Sequence, residues 1–378
     1  MPTITEISQL SQHNIWIEIS RSRLLANLKA LKQQHKGVTP GIFAVVKANA
    51  YGHGLKEIAQ TLASEVAYLG VSSIHEAVEL REHGIETPIF LFGRTFGSIL
   101  PLVLMENITL SVSSIEEAEE ISEASFGLGK KTPVHIKIDI GMGRLGIPSR
   151  SAVTAVEKMR QLPGLELEGI FTHFPTAEKT DGVTESQLQE FLLLLETLDS
   201  KQIRFKYRHA ANSAASLKIH TPILNLIRPG LLLYGIYPDE SLRGGIHAEP
   251  ILTLKSRIIM KKHLRPGDTV GYGRDFVADK PTNVAILAIG YSHGYPFTAS
   301  NKATVLYHGK RYPIAGRVSM DYLAFNLGDD NAKVGDEVTL IGKSGEDCIR
   351  PEELAAWAGT IPYEIVTRMS PRIPRFYQ

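Results

Sequence analysis

At 378 residues the chain exceeds what one hydrophobic core supports, about 250–300 residues, so two domains are expected. Its 41 basic and 40 acidic residues leave a net charge of +1, which argues against a general nucleic-acid or membrane-binding surface. Cys348 is the single cysteine, which excludes an intrachain disulfide and a thiolate metal cluster. The start MPTITEISQLSQHN has no basic segment leading into an apolar core, and no apolar run approaches about 18 residues. A cytosolic protein without a signal peptide or membrane span is the expectation.

In chain order, β-branched and apolar runs predict strands at 42–47, 67–72, 88–92, 108–112, 134–140, 169–173, 205–210 and 224–228. Helical periodicity falls between them at 55–64, 74–83, 114–124, 152–162 and 187–198, with a further helix at 22–35 ahead of the first strand. Eight strands alternating with helices predict a (β/α)₈ TIM barrel for residues 1–246. Near Ala248 the pattern changes to strand-like runs at 251–260, 284–289, 304–307, 322–326 and 337–341, broken by Gly, Asn and Asp turns. Helical pattern returns only at 351–358 and 363–369, so residues 247–378 are expected to form a mostly β C-terminal domain.

The first strand ends in FAVVKANAYGHG, with Lys47 at the edge where α/β folds carry their chemistry. Burial there disfavours the ammonium and frees an amine able to condense with a carbonyl. In VHIKIDI, His135, Lys137 and Asp139 share one strand face, which in a barrel is the interior. The following GMGRLG brings Arg144 toward Lys137, and two convergent cations repel. GIFTHFPTAE places His173 at a strand end, while RHAANSAA supplies His209, Asn212 and Ser213 after the seventh strand. RPGLLLYG contributes Arg228, Gly230 and Leu231 after the eighth, and the loops after strands seven and eight are the usual phosphate site of such barrels. In the second unit, VGYGRDF exposes Tyr272 between two glycines, IGYSHGYPF presents Tyr291, and GRVSMD presents Arg317 and Met320.

A lysine followed by Ala-Asn-Ala-Tyr-Gly-His-Gly resembles the cofactor anchor of the bacterial alanine racemases, which depend on pyridoxal 5'-phosphate. The resemblance spans nearly the whole chain, through THF, RPGLLLYG, GYG and the tail PYEIVTRMSPRIPRFY, and its barrel followed by a β-domain is that family's architecture. It implies an isomerase interconverting L-alanine and D-alanine and supplying D-alanine for peptidoglycan. Lys47 and Tyr272 would be two opposed bases, with Lys47 also holding the cofactor. Tyr51, Ser213, Gly230, Leu231 and Tyr363 would bind its phosphate, His173 would stack on its ring, and Arg228 would face its ring nitrogen. An arginine can only donate, so that nitrogen stays unprotonated, which suits a proton shuttle better than transamination. Arg144 and Met320 would bind substrate, Tyr291 would guard the entrance, and His209 would support Tyr272 and Arg228. Lys137 would carry a carbamate that holds Arg144, and Arg317 would pair with Glu178. Two chains would form a head-to-tail homodimer with shared sites. Ile140, Glu178, Ser292, His293, Phe297 and Ser319 depart from the family's usual residues, mostly around Lys137 and the entrance. A broader racemase for serine or lysine is the alternative activity. A non-catalytic pyridoxal phosphate carrier would need none of Tyr272, Tyr291 and Met320.

Overall fold

A computed structural model describes residues 13–35 and 41–378; the opening segment, read above for a signal peptide, lies largely outside them. The elements run β1 (Ile15–Ile19), α1 (Arg21–Gln34), β2 (Gly41–Val45), α2 (Lys47–Tyr51), α3 (Leu55–Leu62), β3 (Tyr68–Val71), α4 (Ile74–Glu82), β4 (Ile89–Leu91), α5 (Leu100–Met105), β5 (Ile108–Val112) and α6 (Ile115–Gly127). Then come β6 (Thr132–Asp139), β7 (Ile147–Pro148), α7 (Ser149–Met159), β8 (Leu165–Phe171), α8 (Val183–Ser200), β9 (Tyr207–His209) and β10 (Leu226–Ile227). Strands β5, β4, β3, β2, β10, β9, β8 and β6 lie side by side in parallel, and β5 pairs with β6 to close the barrel. Each of the eight predicted strands overlaps one of these, with ends shifted by a few residues.

Local chemistry explains the elements. The barrel strands are apolar on both faces because helices cover the outside and side chains fill the inside. Ser73 and Glu76 form a capping box at the start of α4, and Ser20 and Ser114 cap α1 and α6. Inside the barrel, Phe43, Tyr68, Phe90, Phe171 and Leu226 form their own cluster. Phe90 meets Phe43 and Phe171 edge-on at 5.2 and 5.7 Å, so this layer is solid aromatic packing.

The second sheet is built on the long strand β11 (Leu252–Leu264). Around it lie β12 (Thr269–Val270), β13 (Phe276–Val277), β14 (Thr282–Leu287), β15 (Thr304–Tyr307), β16 (Lys310–Pro313), β17 (Leu323–Gly328), β18 (Glu337–Ser344) and β19 (Asp347–Ile349). The chain ends in α9 (Pro351–Ala358), α10 (Pro362–Thr367) and β20 (Arg375–Tyr377). Four strands of this sheet, β1, β16, β19 and β20, lie outside the strand-like runs read from the sequence. β1, from the front of the chain, pairs antiparallel with β11 and parallel with β20. The first strand of the segment 1–246 therefore packs with the second sheet, not with the barrel. No helix among the described residues is long and apolar enough to cross a membrane.

β1 is short, yet Trp16, Ile17 and Ile19 are fully buried, and Arg257 lies over the Trp16 ring at 4.9 Å. Trp16→Ala is expected to cost about 3–5 kcal/mol by removing a large side chain from a site that cannot collapse. Urea unfolding checks this, and a loss below about 1 kcal/mol would mean that β1 is peripheral.

Candidate active site

The segment after β2 does not continue as a strand to Lys47, as the sequence suggests. The strand stops at Val45, and Lys47 opens a single turn in which Ala48, Asn49, Ala50 and Tyr51 have φ between 51 and 55°. A left-handed turn of non-glycine residues costs about 1–2 kcal/mol per residue, so other contacts must hold it. Asn49 Oδ1 accepts from the Leu55 amide at 2.8 Å, and Glu76 Oε1 accepts from the Asn49 amide at 3.3 Å. From the chain's far end, Arg375 Nε donates to the Gly52 carbonyl at 2.9 Å and the Tyr377 hydroxyl donates to the His53 carbonyl at 3.0 Å. The turn aims Lys47 into the barrel mouth, with Nζ 6.0 Å from the centre of the Phe92 ring. Burial, and then Arg144, depress the Lys47 pKa, with Glu76 opposing.

Lys137 faces the same mouth from β6, as its strand parity predicts, and is buried. Burial followed by Arg144 and Arg228 pushes its pKa down to about 8, while Asp139 opposes. Asp139 is largely occupied elsewhere, accepting from the Gly141 and Gly143 amides at 3.0 and 3.1 Å. Ile140 is buried beside it.

Arg228, one residue past β10, is buried. Its Nη2 donates to the Thr172 and Ala210 carbonyls at 2.7 and 2.9 Å, and its Nη1 to His209 Nδ1 at 2.8 Å. Burial lowers its pKa to about 9. His173 lies two residues beyond the end of β8, with Nδ1 3.4 Å from Arg228 Nη2. Because arginine has no acceptor, that Nδ1 carries no proton and the ring is neutral. Burial, then Arg228, Arg144, Lys137 and Lys47, hold the His173 pKa at about 3.

A compact polar cradle adjoins this cluster. Ser213 Oγ accepts from the Gly230 amide at 2.9 Å, and a Cβ at Gly230 would sit 2.5 Å from the Tyr51 hydroxyl. The Tyr51 and Tyr363 rings are 6.1 Å apart, so α10 brings the tail onto the barrel mouth. Burial raises both phenols, Tyr363 to about 12, and keeps them protonated donors. Ser213 Oγ also accepts from the Leu232 amide at 3.4 Å, so the turn after β10 is tied to the segment after β9.

The second unit gathers a different group. Tyr272 is 73% exposed, on a turn where Gly271 and Gly273 both have φ of 74°. Tyr291 and Met320 are 42% and 54% exposed, and the backbone around them is locked by Tyr291 N–Ser319 O and Ser292 N–Met320 O bonds of 3.0 and 2.9 Å. Phe297 meets Tyr291 edge-on at 6.4 Å, and Ser292 Oγ donates to Asp321 at 2.8 Å. The expected Arg317–Glu178 pair does not form. Within one chain Arg317, on the segment between β16 and β17, donates through Nε to Oδ2 of Asp275, on the loop carrying Tyr272, at 2.5 Å. Among the described residues, no hydrogen bond, ion pair or ring contact joins Tyr272, Tyr291 or Met320 to the barrel mouth.

Two contributors escaped the sequence reading. Val134 pairs with Leu167 and His135 with Gly169, so Glu168 is the extra residue of a β8 bulge that re-aims it toward the interior. Tyr68 donates to Glu168 from β3. The glycine after a glutamate in a strand was the available signal.

A closed barrel with a buried lysine among cations, an anion cradle at its mouth and a β-unit carrying exposed tyrosines defines a barrel enzyme that handles an anionic ligand through an amine. The family model "Alanine racemase, N-terminal domain" matches residues 19–238 and "Alanine racemase, C-terminal domain" matches residues 251–377. The alanine racemase of Desulforamulus reducens is 38% identical over 96% of this chain and 98% of its own length. That of Geobacter sulfurreducens is 40% identical, covering 89% and 90% of the two chains. The crystal structure of alanine racemase from D-cycloserine-producing Streptomyces lavendulae superposes with a TM-score of 0.91 at 31% identity, covering 97% of each chain. The chain belongs to the alanine racemase family.

Its depressed pKa keeps His173 neutral across physiological pH. The unfolded chain binds this proton near pH 6.5, whereas the native chain does so only near 3. His173 therefore withdraws stability as pH falls through that window. Ring-nitrogen NMR should find a neutral His173 with no titration between about pH 5 and 8. A midpoint near 6.5 would refute the cationic setting.

Proposed function

We propose that the barrel mouth holds pyridoxal 5'-phosphate and that Lys47 and Tyr272 act on opposite faces of the bound substrate. The chain is an isomerase, an alanine racemase that interconverts L-alanine and D-alanine, and D-alanine supply for peptidoglycan is the family's role. The cradle of Tyr51, Ser213, Gly230, Leu231 and Tyr363 suits the phosphate, because its phenols, hydroxyl and backbone amides supply hydrogen-bond donors. When bound, the cofactor's aldehyde condenses with an amine, and its conjugated ring takes up the electrons left when the α-proton departs. Neutral His173 suits a stacking partner, and Arg228 can only donate to the ring nitrogen.

The proton moves belong to the chain. Lys47 Nζ, favoured as a neutral amine by burial and Arg144, takes the α-proton of D-alanine. Tyr272 Oη takes the α-proton of L-alanine, and after either base has taken a proton the other delivers one to the α-carbon from its own face. Arg144 and the Met320 amide bind the substrate carboxylate, Tyr291 guards the entrance, and His209 orients Arg228. Lys137 carries a carbamate: its neutral Nζ bonds to the carbon of CO₂ and loses a proton, leaving an anion that holds Arg144. Incorporation of labelled bicarbonate should give a carbamate ¹³C signal that Lys137→Met abolishes. A protein with an unmodified ammonium there would count against it.

The observation that carries the dimer is the separation of the bases: Lys47 is mostly buried in the barrel mouth, whereas Tyr272 is largely exposed on the other unit. We therefore place Tyr272 in the site of a second copy, in a head-to-tail cytoplasmic homodimer. Residues 1–246 form the barrel unit, apart from β1, and 247–378 form the β-unit that reaches across.

Hybrids of Lys47→Ala and Tyr272→Phe chains test the pairing. Random mixing makes about half the dimers hybrid, each with one intact site, so roughly a quarter of wild-type racemisation should return. Confirmed hybrids without activity would defeat the shared site. Assayed on alanine, serine, lysine and arginine, the wild-type enzyme should prefer alanine; equal rates on lysine or serine would favour the broad-specificity reading.

A further inference from the structure

Below the barrel mouth, a line of four polar side chains runs through a layer that is otherwise aromatic. Arg228 Nη1 lies 2.8 Å from His209 Nδ1, His209 Nε2 lies 2.8 Å from His135 Nδ1, and His135 Nε2 lies 3.4 Å from Glu168 Oε2, the long link of the series. Both histidines are fully buried. Phe171 stacks on His209 at 4.9 Å, Phe90 lies 5.0 Å from His135, and Tyr68 meets His135 edge-on at 5.4 Å. At the outer end Glu168 also accepts from Tyr68, and from Lys206 Nζ at 2.9 Å.

The protons along this line follow from one fact: a guanidinium donates and cannot accept. His209 Nδ1 must therefore be bare. Burial, then Arg228 and His135, hold the His209 pKa well down, so the ring is neutral and its proton sits on Nε2. That proton points at His135 Nδ1, which must in turn be bare, and burial keeps His135 neutral too. Its proton is then on Nε2, facing Glu168. Burial alone would raise the Glu168 carboxyl, but His135, Tyr68 and Lys206 hold it at about 2, so the line ends on an anion.

We propose that Glu168 is a positioning residue of the racemase: acting through His135 and His209, it fixes the tautomers of both rings and supports the buried Arg228 cation from the far side of the barrel. The backbone is arranged for this. The β8 bulge turns Glu168 inward, and the next residue is Gly169, where a Cβ would lie 2.5 Å from the His135 ring. An aromatic layer serving only as core would pack better with apolar side chains than with two neutral imidazoles. The last link is electrostatic: His135 Nε2 makes no hydrogen bond, and the Glu168 carboxylate acts on it across 3.4 Å, in a low-dielectric sheath where a charge reaches further than in water.

The line matters to catalysis only if Arg228 faces the cofactor, as proposed above, so the test separates the two. In the holoenzyme labelled with ¹⁵N-histidine, both rings should be neutral with the proton on Nε2, assigned through His135→Gln and His209→Gln. A proton on Nδ1 of either ring would overturn the proposal. Glu168→Gln keeps an acceptor for His135 but removes the charge. It should lower kcat on alanine about tenfold and leave KM within about twofold, whereas Glu157→Gln, at a surface ion pair with Lys201, should match wild type. Wild-type kcat in Glu168→Gln, beside an impaired Arg228→Lys, would overturn the role of Glu168 alone. Wild-type kcat in Arg228→Lys would overturn the placement of Arg228 and this inference with it.

Discussion

The barrel mouth is organised around concentrated, partly buried positive charge. Lys47, Lys137, Arg144 and Arg228 act on one another there, and Asp139 spends its oxygens on backbone amides. The cost shows in Lys137 near 8, Arg228 near 9 and His173 near 3, all moved toward their neutral forms. A site in this state favours neutral amines and imidazole, and it gains from any anion that enters. In the proposed site, a phosphate-bearing cofactor, a carbamate on Lys137 and a substrate carboxylate would answer the same electrostatic need in different places. Binding such ligands should therefore stabilise the fold as well as complete the site.

The Lys47 turn shows how the second unit serves the first. Four consecutive left-handed residues are not held by the barrel alone. Arg375 and Tyr377 close on the carbonyls of Gly52 and His53, and a Cβ at Gly52 would strike the Val366 carbonyl. The tail that pins this turn is also the strand that pairs with β1. Lys47 thus owes its position to contacts more than 300 residues away in sequence. That dependence makes the β-unit part of the lysine's scaffold, whatever else it contributes.

The barrel was legible because its strands are buried on both faces and its helices carry caps, two strong local signals. Most residues flagged at the mouth share a trait visible in sequence: Lys47, His173, Ser213, Arg228 and Gly230 are charged, aromatic or small residues just past the end of a strand. What stayed hidden was non-local. β1 is a five-residue run whose partners are β11 and β20. The left-handed turn is invisible because Ala, Asn and Tyr do not announce positive φ as glycine does. Glu168 lies just ahead of the predicted strand 169–173, and its direction is set by a bulge that alternation does not reveal. Arg317 was misjudged because Asp275, on its own unit, is a nearer partner than Glu178.

Racemisation sets a geometric demand that one barrel mouth cannot meet. A planar reacting centre needs a base on each face, and a mouth supplies one wall. Lys47 rises from that wall, and the proposal gives the residues around it the roles of binding, stacking and holding charge. Within one chain the β-unit reaches the mouth through α10, where Tyr363 meets Tyr51, and through β20, which braces the lysine turn. Tyr272 is on neither element. It stands between β12 and β13, with Arg317 and Asp275 fixing its loop to its own unit. Its phenol is 73% exposed, free to meet a surface beyond its own unit. In the proposed dimer each chain completes the other's site, and the wall that a single barrel lacks is supplied by a rigid β-unit, not by a mobile loop.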